Sequence, residues 1–265
     1  MANQVTGGGF IWYELMTSDA AGAAAFYNAV VGWNIPAEGH ALPNGVTYRM
    51  IGRPDGGNAG GLLELTPVML AAGAAPLWLA YVHTPDLSGT VAQAVALGAS
   101  VQMPEVAMDA GRMAMLADPW GAPLYFMDPT PPPGQPDAVS DVFSVDQPCR
   151  MAWNELAVPD PKAALAYYHA LFGWEQTGEM DMGQFGTYHF IAANGVQIGA
   201  IYGAERTAPG WTYYIRVADV RASAASIRAH GGTITNDLHE VPGGDLIVTA
   251  TDPQGARFAL VGRKD

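Results

Sequence analysis

The sequence predicts an α+β protein built from four βαβββ modules, arranged as two tandem copies of a two-module domain. Three observations carry this. First, the chain repeats itself: WYELMTSDAAGAAAFYNAVVGW (12–33) aligns without a gap with WNELAVPDPKAALAYYHALFGW (153–174), an offset of 153 − 12 = 141 residues. Second, 265 residues exceed one typical domain, and a composition 49% hydrophobic and only 14% charged can bury a sizeable core. Third, 32 Gly and 20 Pro imply many turns joining short elements, which favours strands over a helical bundle.

The elements follow in order. Phe10 to Met16 alternates as a strand, Ser18 or Asp19 stands where a helix N-cap belongs, and Ala20 to Val31 is an Ala-rich helix with Phe26 and Tyr27 on its inner side. Strands are expected near 32–36, 46–52 and 59–66. The second module repeats the order: a strand at 77–84, a helix from about Asp86 to Leu97 ended by Gly98, then strands near 100–107, 112–118 and 123–127. The second copy follows from the alignment, in which VTYRMI (46–51) echoes GTYHFI (186–191), WLAYVHTPDL (78–87) echoes WTYYIRVADV (211–220), and DPWGA (118–122) echoes DPQGA (252–256). Between the copies, Pro131 to Pro133 favour an extended polyproline-like stretch. The expected organisation is a domain over 1–129, a proline-rich linker over 130–148 and a second domain over 149–265.

Charge removes several function classes. The net charge of −13 divides as −8 over residues 1–138 and −5 over 139–265, so neither half offers the clustered positive surface that a nucleic acid needs. A single Cys149 forms no internal disulfide and supports no Cys-based zinc site, in keeping with a reducing compartment. The opening MANQVTGGGF lacks a basic start and a long apolar segment, and the longest apolar stretch, Ala71 to Val82, is broken by Gly73 and Pro76. The expectation is a cytoplasmic protein without nucleic-acid or membrane partners, sufficient as a monomer and able to form a homodimer. HxxxH, C-x-x-C, G-x-S-x-G and phosphate-loop motifs are all missing, and GGNAGG (56–61) reads as a loop entering a strand.

A strand, an Asp, a helix carrying an aromatic–Tyr pair seven residues on, a closing Gly-Trp, and later Asp-Pro-x-Gly opening a final strand resemble the vicinal oxygen chelate superfamily. That superfamily includes glyoxalase I, bleomycin-resistance proteins and extradiol dioxygenases, and tandem two-copy glyoxalase-like members look most similar. The resemblance implies paired βαβββ units curved around a cavity. In metal-binding members the first and last strand of each unit supply one His, Glu or Gln ligand apiece. Carried over residue by residue, those positions here are Trp12, a residue near Glu64, Leu79 and Tyr125 in the first copy. In the second they are Trp153, a residue around Ile201 or Tyr202, Thr212 and Ala259. Only Glu64 would be a good donor, so the resemblance implies a lost metal site in both halves and no cofactor.

Glu14 and Glu155 become the candidate catalytic residues. Each lies two residues beyond a lost ligand position, and the strand period of two places it on the face of Trp12 or Trp153. Each is either a carboxylate poised as general base or proton donor, or an acceptor that stabilises the sheet. Trp12, Trp153 and Tyr125 either floor a pocket for a planar ligand or plug an abandoned cavity. Tyr48 and Tyr188, matched between copies, either orient a ligand's oxygen or are ordinary strand tyrosines. His83, matched by Arg216, and His189, matched by Arg49, are expected on exposed strand faces. The leading functional expectation is binding of a small organic ligand in an aromatic-lined cavity. The alternative is a metal-independent isomerase, lyase or hydroxylase using Glu14 or Glu155. A metal-dependent glyoxalase or dioxygenase is disfavoured by the ligand positions.

Overall fold

A computed structural model describes residues 7–42, 45–136, 138–204 and 209–264. Residues 1–6, which belong to the opening read as carrying no leader, and Asp137 of the expected linker lie outside the described residues. The first copy contains β1 (Phe10–Thr17), α1 (Ala20–Val31), β2 (His40–Ala41), β3 (Thr47–Gly52), β4 (Asn58–Glu64) and a short α2 (Pro67–Ala71). It continues with β5 (Leu77–His83), α3 (Leu87–Ala96), β6 (Ser100–Met108), β7 (Gly111–Ala117) and β8 (Pro123–Pro129). The second contains β9 (Met151–Val158), α4 (Pro161–Phe172), β10 (Glu175–Asp181), β11 (Thr187–Ala193), β12 (Val196–Gly203), β13 (Gly210–Arg216), α5 (Val220–Ala229), β14 (Thr233–Glu240), β15 (Asp245–Thr251) and β16 (Arg257–Arg263).

These strands form two eight-stranded sheets of identical order, β2-β3-β4-β1-β5-β8-β7-β6 and β10-β11-β12-β9-β13-β16-β15-β14. Within each module the first and last strands pair in parallel, as β1 does with β4 and β9 with β12, and the remaining neighbours are antiparallel. The parallel pair requires a crossover, and the helix supplies it. All four crossover helices start on an aspartate whose side chain accepts a backbone N–H of the first turn: Asp19 from Gly22, Asp86 from Gly89, Asp160 from Ala163 and Asp219 from Ala222. Gly32 and Gly173, the glycines of the two Gly-Trp pairs, end α1 and α4 at φ of 82° and 68°, a conformation that disfavours any Cβ.

By compactness the chain divides crosswise. One unit is built round Ala80–Ser140 and Asn154–Trp211, the other round Trp12–Leu79, Asp141–Trp153 and the chain from Thr212 onward, so each unit takes one module from each copy. In the first, the Tyr168 hydroxyl donates to Asp118 at 2.9 Å, and the Tyr168 ring stacks on Trp174 with centroids 4.9 Å apart. In the second, Tyr27 donates to Asp252 at 3.1 Å and accepts from Trp78 Nε1 at 2.9 Å. The other carboxylate oxygen of each aspartate accepts two N–H groups of its own Asp-Pro-x-Gly turn. Burial pushes both aspartate pKa values up, against the pull of these hydrogen bonds.

Two expectations need correction. No strand covers 32–36: Asn34 makes only an isolated bridge to Gly52, and Pro36 has no N–H for a ladder, so the strand is displaced to His40–Ala41. The second copy has no proline there, and β10 starts directly after Trp174. His189, Arg49 and Arg216 are not on exposed faces but are buried, at 6%, 7% and 9% exposure. Each buried group finds polar partners: Arg49 reaches Glu64 and the Ala37 carbonyl, Arg216 reaches Asp245, and His189 reaches Gln176. No helix of the described residues is long and apolar enough to cross a membrane.

Candidate functional site

The alternation of β1 divides its side chains between two faces. Tyr13 and Leu15 are fully buried, Tyr13 lying edge-on to Tyr213 with centroids 5.5 Å apart. Trp12 and Glu14 take the opposite face, and Tyr48 of β3 reaches both: its hydroxyl accepts from Trp12 Nε1 at 3.0 Å and is hydrogen-bonded to the Glu14 carboxylate. Register explains the meeting, because Glu14 lies beside Gly61 and Tyr48 beside Leu63 on the intervening β4. Gly61 has no side chain, and a methyl there would run into the Tyr48 ring and hydroxyl. Tyr48 therefore lies across β4 and Glu14 is only 2% exposed. Burial, and after it the Glu14 carboxylate, hold the Tyr48 pKa well above its ordinary value, so this hydroxyl stays protonated and donates to Glu14.

The second copy repeats the pair in a different setting. The Tyr188 hydroxyl donates to Glu155 Oε1 at 2.6 Å, the short distance of a charge-assisted bond. Ala200 stands beside Glu155 where the first copy has Gly61, and Tyr188 instead leans on Tyr202, with centroids 5.7 Å apart and planes at 29°. Glu155 is half-buried rather than sealed. Trp153 packs against the buried cluster of Ala152, Tyr214, Ala259 and Val261.

The structure brings Trp12, Glu14 and Tyr48 together, and Glu155 with Tyr188. Glu64 does not join its group. It lies one residue past Leu63, on the opposite face of β4, and pairs with Arg49 at 3.5 Å. The parity of the register against Gly61 was the available signal. Tyr125 is 4% exposed and stacks on Tyr81 at 4.2 Å with planes 17° apart. Sequence reasoning missed the part played by Tyr202 and Phe190, which flank Tyr188 on its own face.

The donor chemistry at the superfamily's metal positions does not fit a divalent ion. Trp12, Leu79, Trp153 and Ala259 offer no lone pair suited to one, Tyr125 is stacked, and Glu64 faces away from Glu14. Among the described residues no three His, Cys, Asp or Glu side chains converge. A hollow of about 330 Å³ lined by His83, Thr84, Asp86, Phe172 and Asn194 contains none of the expected site residues.

Residues 150–260 match the family model of the glyoxalase/bleomycin resistance protein/dioxygenase superfamily, and residues 12–127 match that of a glyoxalase-like domain. The chain is 28% identical over 256 residues to a Mycobacterium tuberculosis protein named "Putative glyoxylase CFP32", covering 94% of this chain and 93% of that one. It is 27% identical to the anthracycline biosynthesis protein DnrV of Streptomyces peucetius, covering 94% and 91%. Among solved structures, the Mn(II)-bound glyoxalase from Novosphingobium aromaticivorans is similar with a TM-score of 0.65 at 14% identity, covering 98% of this chain and 83% of that one. A homoprotocatechuate 2,3-dioxygenase variant from B. fuscum gives 0.65 at 16% identity, covering 98% and 74%.

Proposed function

Both halves of the chain belong to the glyoxalase/bleomycin resistance protein/dioxygenase superfamily, and from that premise we propose that the protein binds a small organic molecule against the aromatic faces carrying Glu14 and Glu155, without the superfamily's metal. The observation that carries this reading is the duplicated carboxylate–phenol pair, Glu14 with Tyr48 and Glu155 with Tyr188, set on the strands where metal-binding members place a ligand. Aromatic rings supply area and the carboxylate supplies one oriented polar contact, which is the usual make-up of a small-molecule site. The names of the similar proteins, "Putative glyoxylase CFP32" and an anthracycline biosynthesis protein, also concern small organic compounds.

Glu14 favours a second reading, a metal-independent enzyme. A carboxylate at 2% exposure beneath a protonated phenol is shielded from solvent and held in one orientation beside a proton donor, as a general acid or base requires. The experiment is a ligand and turnover screen on the parent, Glu14→Gln and Glu155→Gln, preceded by elemental analysis of the purified protein. Loss of binding in either variant supports the first reading, and retained binding with lost turnover supports the second. Unchanged behaviour of both variants in every assay sinks the carboxylate proposal, and a stoichiometric divalent metal sinks the claim of metal independence.

A further inference from the structure

We infer that the Glu155 face of the second copy is a site for an organic cation, a protonated amine carried on an apolar or aromatic body; this rests on the small-molecule reading above and names its ligand class. Strand register places Glu155 of β9, Tyr202 of β12, Tyr188 and Phe190 of β11 and Met180 of β10 on one face. Tyr188 is the centre of the aromatic set, 5.7 Å from Tyr202 and 5.4 Å from Phe190, the second ring turned by 76°. Rings at such angles present both face and edge to a ligand. The faces attract a cation, and the adjacent carboxylate adds a full charge in the same direction.

The surrounding charge points the same way. Strands β9 to β12 carry Glu155, Glu175, Glu179 and Asp181 and no Lys or Arg; His189 of β11 pairs with Glu179, Arg150 just before β9 is engaged by Asp55 and Asp141, and Lys162 is exposed at the start of α4. An anion would meet no counter-charge on these strands, and a neutral ligand would gain nothing from Glu155 beyond a hydrogen bond. The first copy differs in each respect. Arg49 and Arg53 lie on or next to β3, Arg49 on the opposite face with Glu64, and Tyr48, lying across Gly61, covers Glu14. Glu155, bonded to Tyr188, is nevertheless half-buried rather than sealed, where an ammonium can reach it and where partial desolvation strengthens the pairing.

Calorimetric titration of the full chain with 3-phenylpropylammonium, and with 3-phenylpropanol as its uncharged counterpart, tests this. The ammonium is expected to bind at least about tenfold more tightly than the alcohol. Glu155→Gln should remove that preference, and Tyr202→Leu should weaken the ammonium by about three- to tenfold. Retained near-ultraviolet circular dichroism shows that each variant is folded. Equal binding of alcohol and ammonium overturns the cation assignment while leaving the small-molecule reading standing. Binding of the ammonium that ignores Glu155→Gln, or absence of ammonium binding at millimolar concentration, overturns the assignment outright, whereas the reading itself is decided by the separate ligand screen.

Discussion

The hydroxyl of Tyr48 bonds two groups at once, the Trp12 indole N–H and the buried Glu14 carboxylate, so its removal takes one partner from each. Tyr48→Phe is expected to lower stability by about 2 kcal/mol in urea denaturation, in the range for a bond to a buried charged group. Tyr188→Phe should cost less, because solvent can reach the half-buried Glu155. The turn aspartates give a pH signature. Asp118 has its folded pKa raised above the unfolded value of 3.8, so its contribution to stability is complete below that value and is lost as pH rises through the folded pKa. Asp118→Asn keeps an oxygen for the turn N–H groups and carries no charge to desolvate. Thermal melts should show this variant gaining on the parent between pH 4 and pH 7. A deficit that does not change with pH would contradict the assignment of burial as the dominant cause.

At the scale of elements, the four aspartate caps show how local chemistry fixes the repeat. Asp19→Ala and Asp160→Ala are each expected to cost about 1 kcal/mol, read as a shift in the denaturation midpoint. The glycines of β4 separate two kinds of tolerance. A methyl at Gly60 would run into the Tyr13 carbonyl of the paired strand, whereas a methyl at Gly61 would meet only the movable end of Tyr48. Gly60→Ala should therefore destabilise by roughly 1–3 kcal/mol, while Gly61→Ala should displace Tyr48 and make Glu14 accessible, seen as a new ligand- or pH-sensitive change in Trp12 fluorescence. Seven of the eight strands expected in the first copy appear within a few residues of their expected places. The displaced β2 does not, because the Asn34-Ile35-Pro36 segment keeps its apolar residue while losing the donor that a ladder needs. The candidate site was legible down to its residue types, Trp, Glu and Tyr at matched positions. Which face Glu64 occupies was not, since a slip of one residue in a strand exchanges its faces.

For the whole molecule, the aligned halves of the sequence and the compact units of the structure do not coincide. Phe26 and Tyr27 of α1 pack against Phe258 at 5.9 and 5.4 Å, and Phe126 packs against Phe172 at 4.9 Å. Each contact joins the two copies inside one unit, with the buried Tyr–Asp bonds alongside. Residues 1–129 alone should therefore expose these rings and self-associate, seen by light scattering and by binding of a hydrophobic dye; a well-folded monomer would count against the crosswise packing. This partition was hidden from sequence because alignment reports which segments descend from one another, and contact follows which apolar faces meet. A further consequence concerns the peptide connection itself. Each unit draws on both sides of the proline-rich segment, so that segment serves chiefly to deliver equal amounts of two halves to one another. A single cut engineered between Pro133 and Gln135 should leave the fragments co-eluting, and separately expressed halves should complement each other, as the two chains of a heterodimer would.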